Sequence, residues 1–177
     1  NVFKIKVKQS NFSCKIIKEN WTNEIKNEIN VLTKLKILNS NFFPKFQCSF
    51  KINECKVICY DYIEGTDLLN IISNENPFES NQKVIIDLTY QILIGLQELL
   101  LFGYVHLDLK PENIIVSRLN PIKISIIDLS FAENYEDTHG IKKKVQGTIG
   151  YISPELLLYK KFYKNTDVWS LGIIIYL

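Results

Sequence analysis

Apolar and polar residues alternate from the start of the chain. In VFKIKVKQSNFSCKII, Lys4, Lys6 and Lys8 are set against Phe3, Ile5 and Val7, and a second run reaches Ile17. Period-two alternation interrupted by Gln9-Ser10-Asn11 predicts a β-hairpin. In NEIKNEINVLTKLKIL the period lengthens: Ile25, Ile29, Leu32 and Leu35 fall on one stripe, which predicts an amphipathic helix. FQCSFKINECKVICYDYI returns to strand-like runs around an Asn53-Glu54 turn. After EGTD the character changes. SNQKVIIDLTYQILIGLQELLLFG predicts a long helix, with Ser80 as its N-cap and Gly103 just past its end. Short strands are expected at 113–116 and 122–127, then an irregular polar stretch to about Gly150, then two helical runs. No internal repeat interrupts this order. The pattern therefore predicts an α+β chain in two parts: a small β-rich lobe with one helix (1–60), a connector (61–66) and a larger, mainly helical lobe (67–177).

Composition narrows the classes. Of 177 residues 46% are hydrophobic and 23% charged, enough for a packed core and against wholesale disorder. A net charge of +2 argues against a nucleic-acid partner. Arg118 is the only arginine and Ala132 the only alanine, a bias that reads as AT-rich coding. The four cysteines, Cys14, Cys48, Cys55 and Cys59, contain no C-x-x-C pair, and His106 and His139 are the only histidines. Buried free thiols in a reducing compartment are the expectation, hence a cytoplasmic or nuclear protein, rather than a zinc site. Apolar stretches such as SLGIIIYL read as too short for a bilayer, and no signal peptide is evident, so no membrane partner is expected. The chain has no Met and ends in an apolar run at Leu177, which reads as a piece of a longer protein.

The densest chemistry lies in VHLDLKPENIIV, residues 105–116, between a predicted helix and a predicted strand. A loop held at both ends by core elements can aim side chains rigidly. Its spacing, H-x-D-x-K-x-x-N, resembles the catalytic loop of the eukaryotic protein kinases, H-R-D-L-x-x-x-N, with Lys110, Pro111 and Glu112 also matching. The resemblance runs in order along the whole chain. FSCK stands where that family has V-A-I-K, and Glu28 in EINVL stands thirteen residues on, where its helix glutamate pairs with the lysine. DLS at 128–130 stands for D-F-G, GTIGYISPE at 147–155 for G-T-x-x-Y-x-A-P-E, and TDVWSLG for the helix whose aspartate, Asp167, props the catalytic loop.

The resemblance implies a two-lobed protein-kinase-like fold, truncated at both ends, and transfer of the γ-phosphate of Mg-ATP to a protein hydroxyl. That chemistry needs positioning and charge neutralisation more than covalent help. By the resemblance, Asp108 accepts the substrate hydroxyl's proton and Lys110 steadies the γ-phosphate. Asn113 and Asp128 hold Mg2+ through oxygen. Lys15, fixed by Glu28, holds the other phosphates. Adenine meets the Asp61 carbonyl and the Ile63 amide of YDYIEG, with Tyr60 at the back of the pocket. Asp67 meets the ribose or a basic substrate side chain. DLKPEN with GTIGY is similar to the serine/threonine class, and VHLDLKPEN to its calcium/calmodulin-dependent group. Glu112 and Asp67 tilt the expectation toward substrates of basic context. His106 and Asp167 are expected to be architectural, Glu155 to form an internal ion pair, and Lys142, Lys143 and Lys144 to be a solvated face.

Three departures stand out. The Gly-rich phosphate loop is missing, as expected if it precedes Asn1. Leu107 replaces the arginine that pairs with a phosphorylated activation loop, and Tyr135 and Thr138 lie far upstream of the usual phosphosite. An enzyme that needs no activation-loop phosphate is the expectation. Ser130 replaces a glycine and Leu129 a phenylalanine, which predicts a stiffer magnesium loop, because serine resists φ values that glycine accepts. The alternative reading is a pseudokinase with a binding or regulatory role. A small-molecule kinase is disfavoured by GTIGYISPE.

Overall fold

The structure, a computed structural model, describes residues 2–18, 22–74 and 81–177. Strands β1 (Val2–Val7) and β2 (Ser10–Lys18) form the expected hairpin. Its turn is Lys8-Gln9, slightly ahead of the position expected. Val7 pairs with Ser10, and the two-residue loop puts Lys8 at φ 54°, the positive region such tight hairpins use. Helix α1 (Thr22–Ile37) buries Ile25, Leu32 and Leu35 as the stripe predicts, and Val31 with them. Strands β3 (Phe46–Ile52) and β4 (Cys55–Asp61) flank Asn53-Glu54, where Asn53 has φ 52°. The four strands make one antiparallel sheet in the order β1-β2-β4-β3. As an edge strand β1 leaves Val2, Phe3, Ile5 and Val7 exposed, so its alternation gives two wet faces rather than one buried face.

The second part is mainly helical. Strand β5 (Thr66–Asp67) leads into α2 (Leu68–Asn74), and α3 (Gln82–Leu101) runs on to β6 (Tyr104–Val105). A 3-10 turn, Pro111–Asn113, precedes β7 (Ile114–Leu119) and β8 (Ile122–Ile126), so Asn113 lies in a turn and not in the strand expected to contain it. β9 (Glu133–Asn134), α4 (Tyr135–Thr138), α5 (Pro154–Tyr159) and α6 (Thr166–Tyr176) complete the order. β5, β7 and β8 form one small sheet, and β6 and β9 another.

Helix α3 is the central packing element. Leu88, Ile92, Leu96 and Leu99 are buried at the spacing of one helical face. Gly95 lets that face approach β8 closely, since a Cβ there would come within 2.8 Å of Ile126 Cδ1. Ser80 lies outside the described residues; Asn81 caps the helix instead, accepting from the Val84 amide at 3.4 Å. At 20 residues and mean hydropathy 1.6, α3 is long and apolar enough to cross a membrane, contrary to the expectation from length. Only its inner face is used in the shared core, where Leu96 and Ile126 join Leu35 and Ile58 of the first part, while Ile86, Leu93 and Leu101 stay exposed. The Ile126 amide also donates to the Phe42 carbonyl at 2.7 Å, tying the two parts together.

The cysteines depart from expectation. The register of β2 on β4 sets Cys14 directly opposite Cys59, with Cα atoms 4.3 Å apart, and the two are joined as a disulfide. Cys48 is free but exposed, and Cys55 free and half-buried. None of the four is thus a buried free thiol, and the thiol argument for a reducing compartment falls away. Strand register, invisible in the sequence, is the reason.

Candidate active site

Lys15 sits on β2 with its ammonium turned toward α1. Glu28 interrupts the apolar face of that helix, three residues after Ile25 and four before Leu32, so its carboxylate points inward. Lys15 Nζ donates to Glu28 Oε1 and Oε2 at 3.0 and 3.1 Å, and to Asp128 Oδ1 at 2.6 Å. Three elements distant in sequence thereby meet at one cation. Burial pulls the Lys15 pKa down, but Glu28 and Asp128 together raise it above the usual value. For Asp128, burial alone would raise the carboxyl; the Lys15 charge, with hydrogen bonds from Lys15 and Ser130, lowers it to about 2. Burial pushes Glu28 upward against the pull of Lys15. Tyr60 pairs with Ser13, two residues before Lys15 on β2, and its phenol is raised by burial and by the Glu28 and Asp128 charges.

The catalytic-loop residues form a second cluster. Thr148 Oγ1 donates to Asp108 Oδ1 at 2.7 Å and accepts from Lys110 Nζ at 2.7 Å. Lys110 Nζ also stands 3.5 Å from Asp108 Oδ2. Asn113 Nδ2 donates to the Asp108 carbonyl at 2.9 Å, which turns the amide oxygen of Asn113 the other way. Asp108, Lys110 and Asn113 are thus brought together as the sequence predicts.

The loop is held from below. Asp167 at the start of α6 accepts from the His106 amide at 2.7 Å and the Leu107 amide at 2.9 Å. His106 is fully buried; its Nδ1 accepts from the Asp108 amide at 3.3 Å, and its Nε2 lies 3.3 Å from the Ile127 carbonyl. This pattern assigns the proton to Nε2 and makes the ring a strut between the loop and the strand leading to Asp128. Leu107 is held at φ 63° and Asp128 at φ 62°. Both are left-handed positions that L-residues adopt only when their surroundings impose them. Ser130 does not share that conformation, so the backbone reason for expecting a stiffer loop there does not apply.

The remaining expectations divide. Asp61 lies in β4 at the connector, its amide donating to the Lys45 carbonyl at 3.0 Å and its carboxylate accepting from Gln47 Nε2 at 2.6 Å. Ile63, two residues further on, is half-buried. A cavity of about 540 Å³ opens beside this connector, lined by Phe12, Gln47, Asp61 and Tyr62 among others. It includes neither Lys15 nor Asp108, so it is separate from the two clusters. Asp67 spends both carboxylate oxygens on Asn70, its amide at 2.9 Å and its side chain at 2.5 Å, and so serves as the cap of α2. Glu155 accepts from Thr166 Oγ1 at 3.0 Å. Glu112 Oε2 is buried and has no partner among the described residues.

Two features escaped the sequence. Lys142 is not on a solvated face: it is 4% exposed, donating to the Phe131 carbonyl at 3.2 Å and to Gln146 at 3.0 Å, with Glu133 3.8 Å away. One lysine of three carries no local mark of burial. The other is Ser130, whose hydroxyl accepts from Lys15 at 2.5 Å and donates to Asp128 Oδ1. Its substitution for glycine was visible, but its contacts were not. Leu107 packs with Val105, Leu156 and Phe162, with Tyr135 and Ile152 against them.

The donor set fits a divalent cation with phosphates. Asp128, a carboxylate that is 44% exposed, and the side-chain amide oxygen of Asn113 are hard oxygen donors of the kind that ion takes, and each cluster also carries an ammonium group, Lys15 in one and Lys110 in the other. A protein-kinase-like α+β fold is the class this arrangement defines. The family model described as the protein kinase domain matches residues 1–177, and the chain belongs to that family. It is 34% identical to calcium-dependent protein kinase 6 of Plasmodium berghei over 92% of this chain and 11% of that protein. It is 30% identical to human myosin light chain kinase 3 over 87% of this chain and 18% of that protein. It is 29% identical to serine/threonine-protein kinase D2 of the rat over 86% of this chain and 17% of that protein. The chain therefore spans less than a fifth of the length of each of these relatives.

Proposed function

We propose that the protein is an active serine/threonine kinase that transfers the γ-phosphate of Mg-ATP to a hydroxyl on a protein substrate. The observation that carries this reading is Lys15 bonded at once to Glu28 and Asp128, which gathers one cation and two carboxylates from separate parts of the chain at one place. In this reading Asp108 takes the substrate hydroxyl's proton and aims its oxygen. The Lys110–Thr148–Asp108 chain fixes that carboxylate and presents a cation beside it. Asn113 and Asp128 hold the metal, which when bound neutralises charge on the phosphates. The Asp61 carbonyl and the Ile63 amide receive adenine. A basic substrate context rests on Glu112 alone, since Asp67 is engaged in capping α2. Membership of the calcium/calmodulin-dependent group is part of the same proposal, resting on the local string VHLDLKPEN and on the relatives named above.

The test follows phosphate transfer from Mg-ATP to a basic serine peptide by the full chain, with Asp108→Asn beside it. Transfer that the substitution abolishes is the expected result. A folded wild type that binds nucleotide yet transfers nothing across several peptides favours the pseudokinase instead.

A further inference from the structure

Lys15 has more oxygen partners than protons. Four oxygens lie within 3.1 Å of Nζ: Glu28 Oε1 and Oε2, Asp128 Oδ1 and Ser130 Oγ. An ammonium has three N–H groups to give. None is left over for a phosphate, although the Proposed function gives Lys15 that role. One protein oxygen has to yield.

The chemistry of the four selects which. Glu28 and Asp128 are carboxylates, and bonds from an ammonium to a carboxylate are about twice as strong as neutral ones. Ser130 Oγ is the only neutral acceptor of the four. Its hydroxyl also donates to Asp128 Oδ1, and its backbone amide approaches the same oxygen at 3.4 Å. The side chain thus bridges cation and carboxylate, a seat that exists only because this position is not glycine.

We infer that Ser130 is a positioning residue whose hydroxyl takes the Lys15 proton that a phosphate oxygen would accept, and that nucleotide phosphates displace it on binding. The hydroxyl keeps Lys15, Glu28 and Asp128 assembled without ligand. It also sets the nucleotide affinity below what the lysine would otherwise give. No covalent step is involved; a hydrogen bond from Lys15 to Ser130 is exchanged for one to a phosphate oxygen. This rests on the nucleotide-binding reading above, and the two can fail separately.

The experiment measures equilibrium binding of ADP and of adenosine to the full chain, in Mg2+ and in EDTA, for wild type, Ser130→Ala and Ser130→Gly. Adenosine reports the connector without the phosphates. Removing the hydroxyl is expected to tighten ADP about three- to tenfold, the worth of one neutral hydrogen bond, and to leave adenosine unchanged. Ser130→Gly decides the question if Ser130→Ala does not fold. Unchanged or weaker ADP binding would overturn the inference, weaker binding meaning that the hydroxyl belongs to the cradle itself. Equal shifts for ADP and adenosine would overturn it too, as would loss of the fold in both variants, since either makes Ser130 merely structural. A wild type that binds neither ligand defeats the nucleotide-binding reading, and the inference with it.

Discussion

Asp167→Asn tests how the catalytic loop is held. The carboxylate is 5% exposed and accepts two backbone amides, from His106 and Leu107, at 2.7 and 2.9 Å. An asparagine keeps the shape but has one oxygen. Its amide nitrogen must face one of the two N–H groups, so one bond is lost and one buried donor is orphaned. Losing a hydrogen bond to a charged group costs about 1.5–3 kcal/mol, and a stranded buried donor about 1–3 kcal/mol. Against this, the variant no longer buries a charge, a burden visible in the upward push that burial gives the Asp167 carboxyl. The net expectation is about 2–4 kcal/mol of destabilisation, a large share of the roughly 5–15 kcal/mol of a typical domain. Urea unfolding followed by tryptophan fluorescence measures it, Trp169 lying two residues along the same helix. The midpoint should fall by about 1–2 M with the slope unchanged. Asp167→Ala, which strands both amides, should cost more. A loss below about 1 kcal/mol for both variants would refute the claim that this carboxylate holds the catalytic loop from below.

Three further outcomes are expected. Leu107→Arg forces a guanidinium into the cluster of Val105, Leu156 and Phe162 and should destabilise by about 2–4 kcal/mol in the same urea assay; wild-type stability would mean that the cluster opens to water. Because the folded Asp128 pKa lies near 2, below its ordinary 3.8, Asp128 contributes stability above pH 3.8 that is lost as pH falls through 2. The effect is reduced by its 44% exposure, and acid unfolding of Asp128→Asn against wild type reads it as a smaller loss over that window in the variant. Peptide mapping without reductant should recover Cys14 linked to Cys59, with Cys48 and Cys55 open to alkylation; four alkylated cysteines would contradict the pairing.

Much of the site was legible because the chemistry restricts residue type. Asp108, Lys110 and Asn113 sit in one short loop whose spacing the chain preserves, whereas Glu28 was legible only by its place thirteen residues after Lys15 in the family pattern. Elements with strong periods, α1 and α3 above all, were legible for the same reason that they are stable: one continuous face is buried. What escaped depends on which strangers in sequence become neighbours in space. The Cys14–Cys59 pair needed a strand register. Lys142 needed the path of the chain past Phe131 and Gln146, and Asp67 needed to be seen as the residue that begins α2. Ser130 looked like a question of backbone freedom and proved to be one of side-chain contact.

Tyr60 bears on inhibitor chemistry. Its phenol stands half-buried where β4 leaves the sheet, close enough to Glu28 and Asp128 for both charges to oppose its ionisation. The register pairs Tyr60 with Ser13 and Ile58 with Lys15, so a bulky group extended inward from the connector meets this ring before it reaches Lys15. Selective compounds would therefore have to grow outward, toward the cavity lined by Phe12 and Gln47, or offer a small acceptor to the phenol hydroxyl. Shortening that one side chain would open the inner route, and the variant would then admit a bulkier ligand than the wild type does.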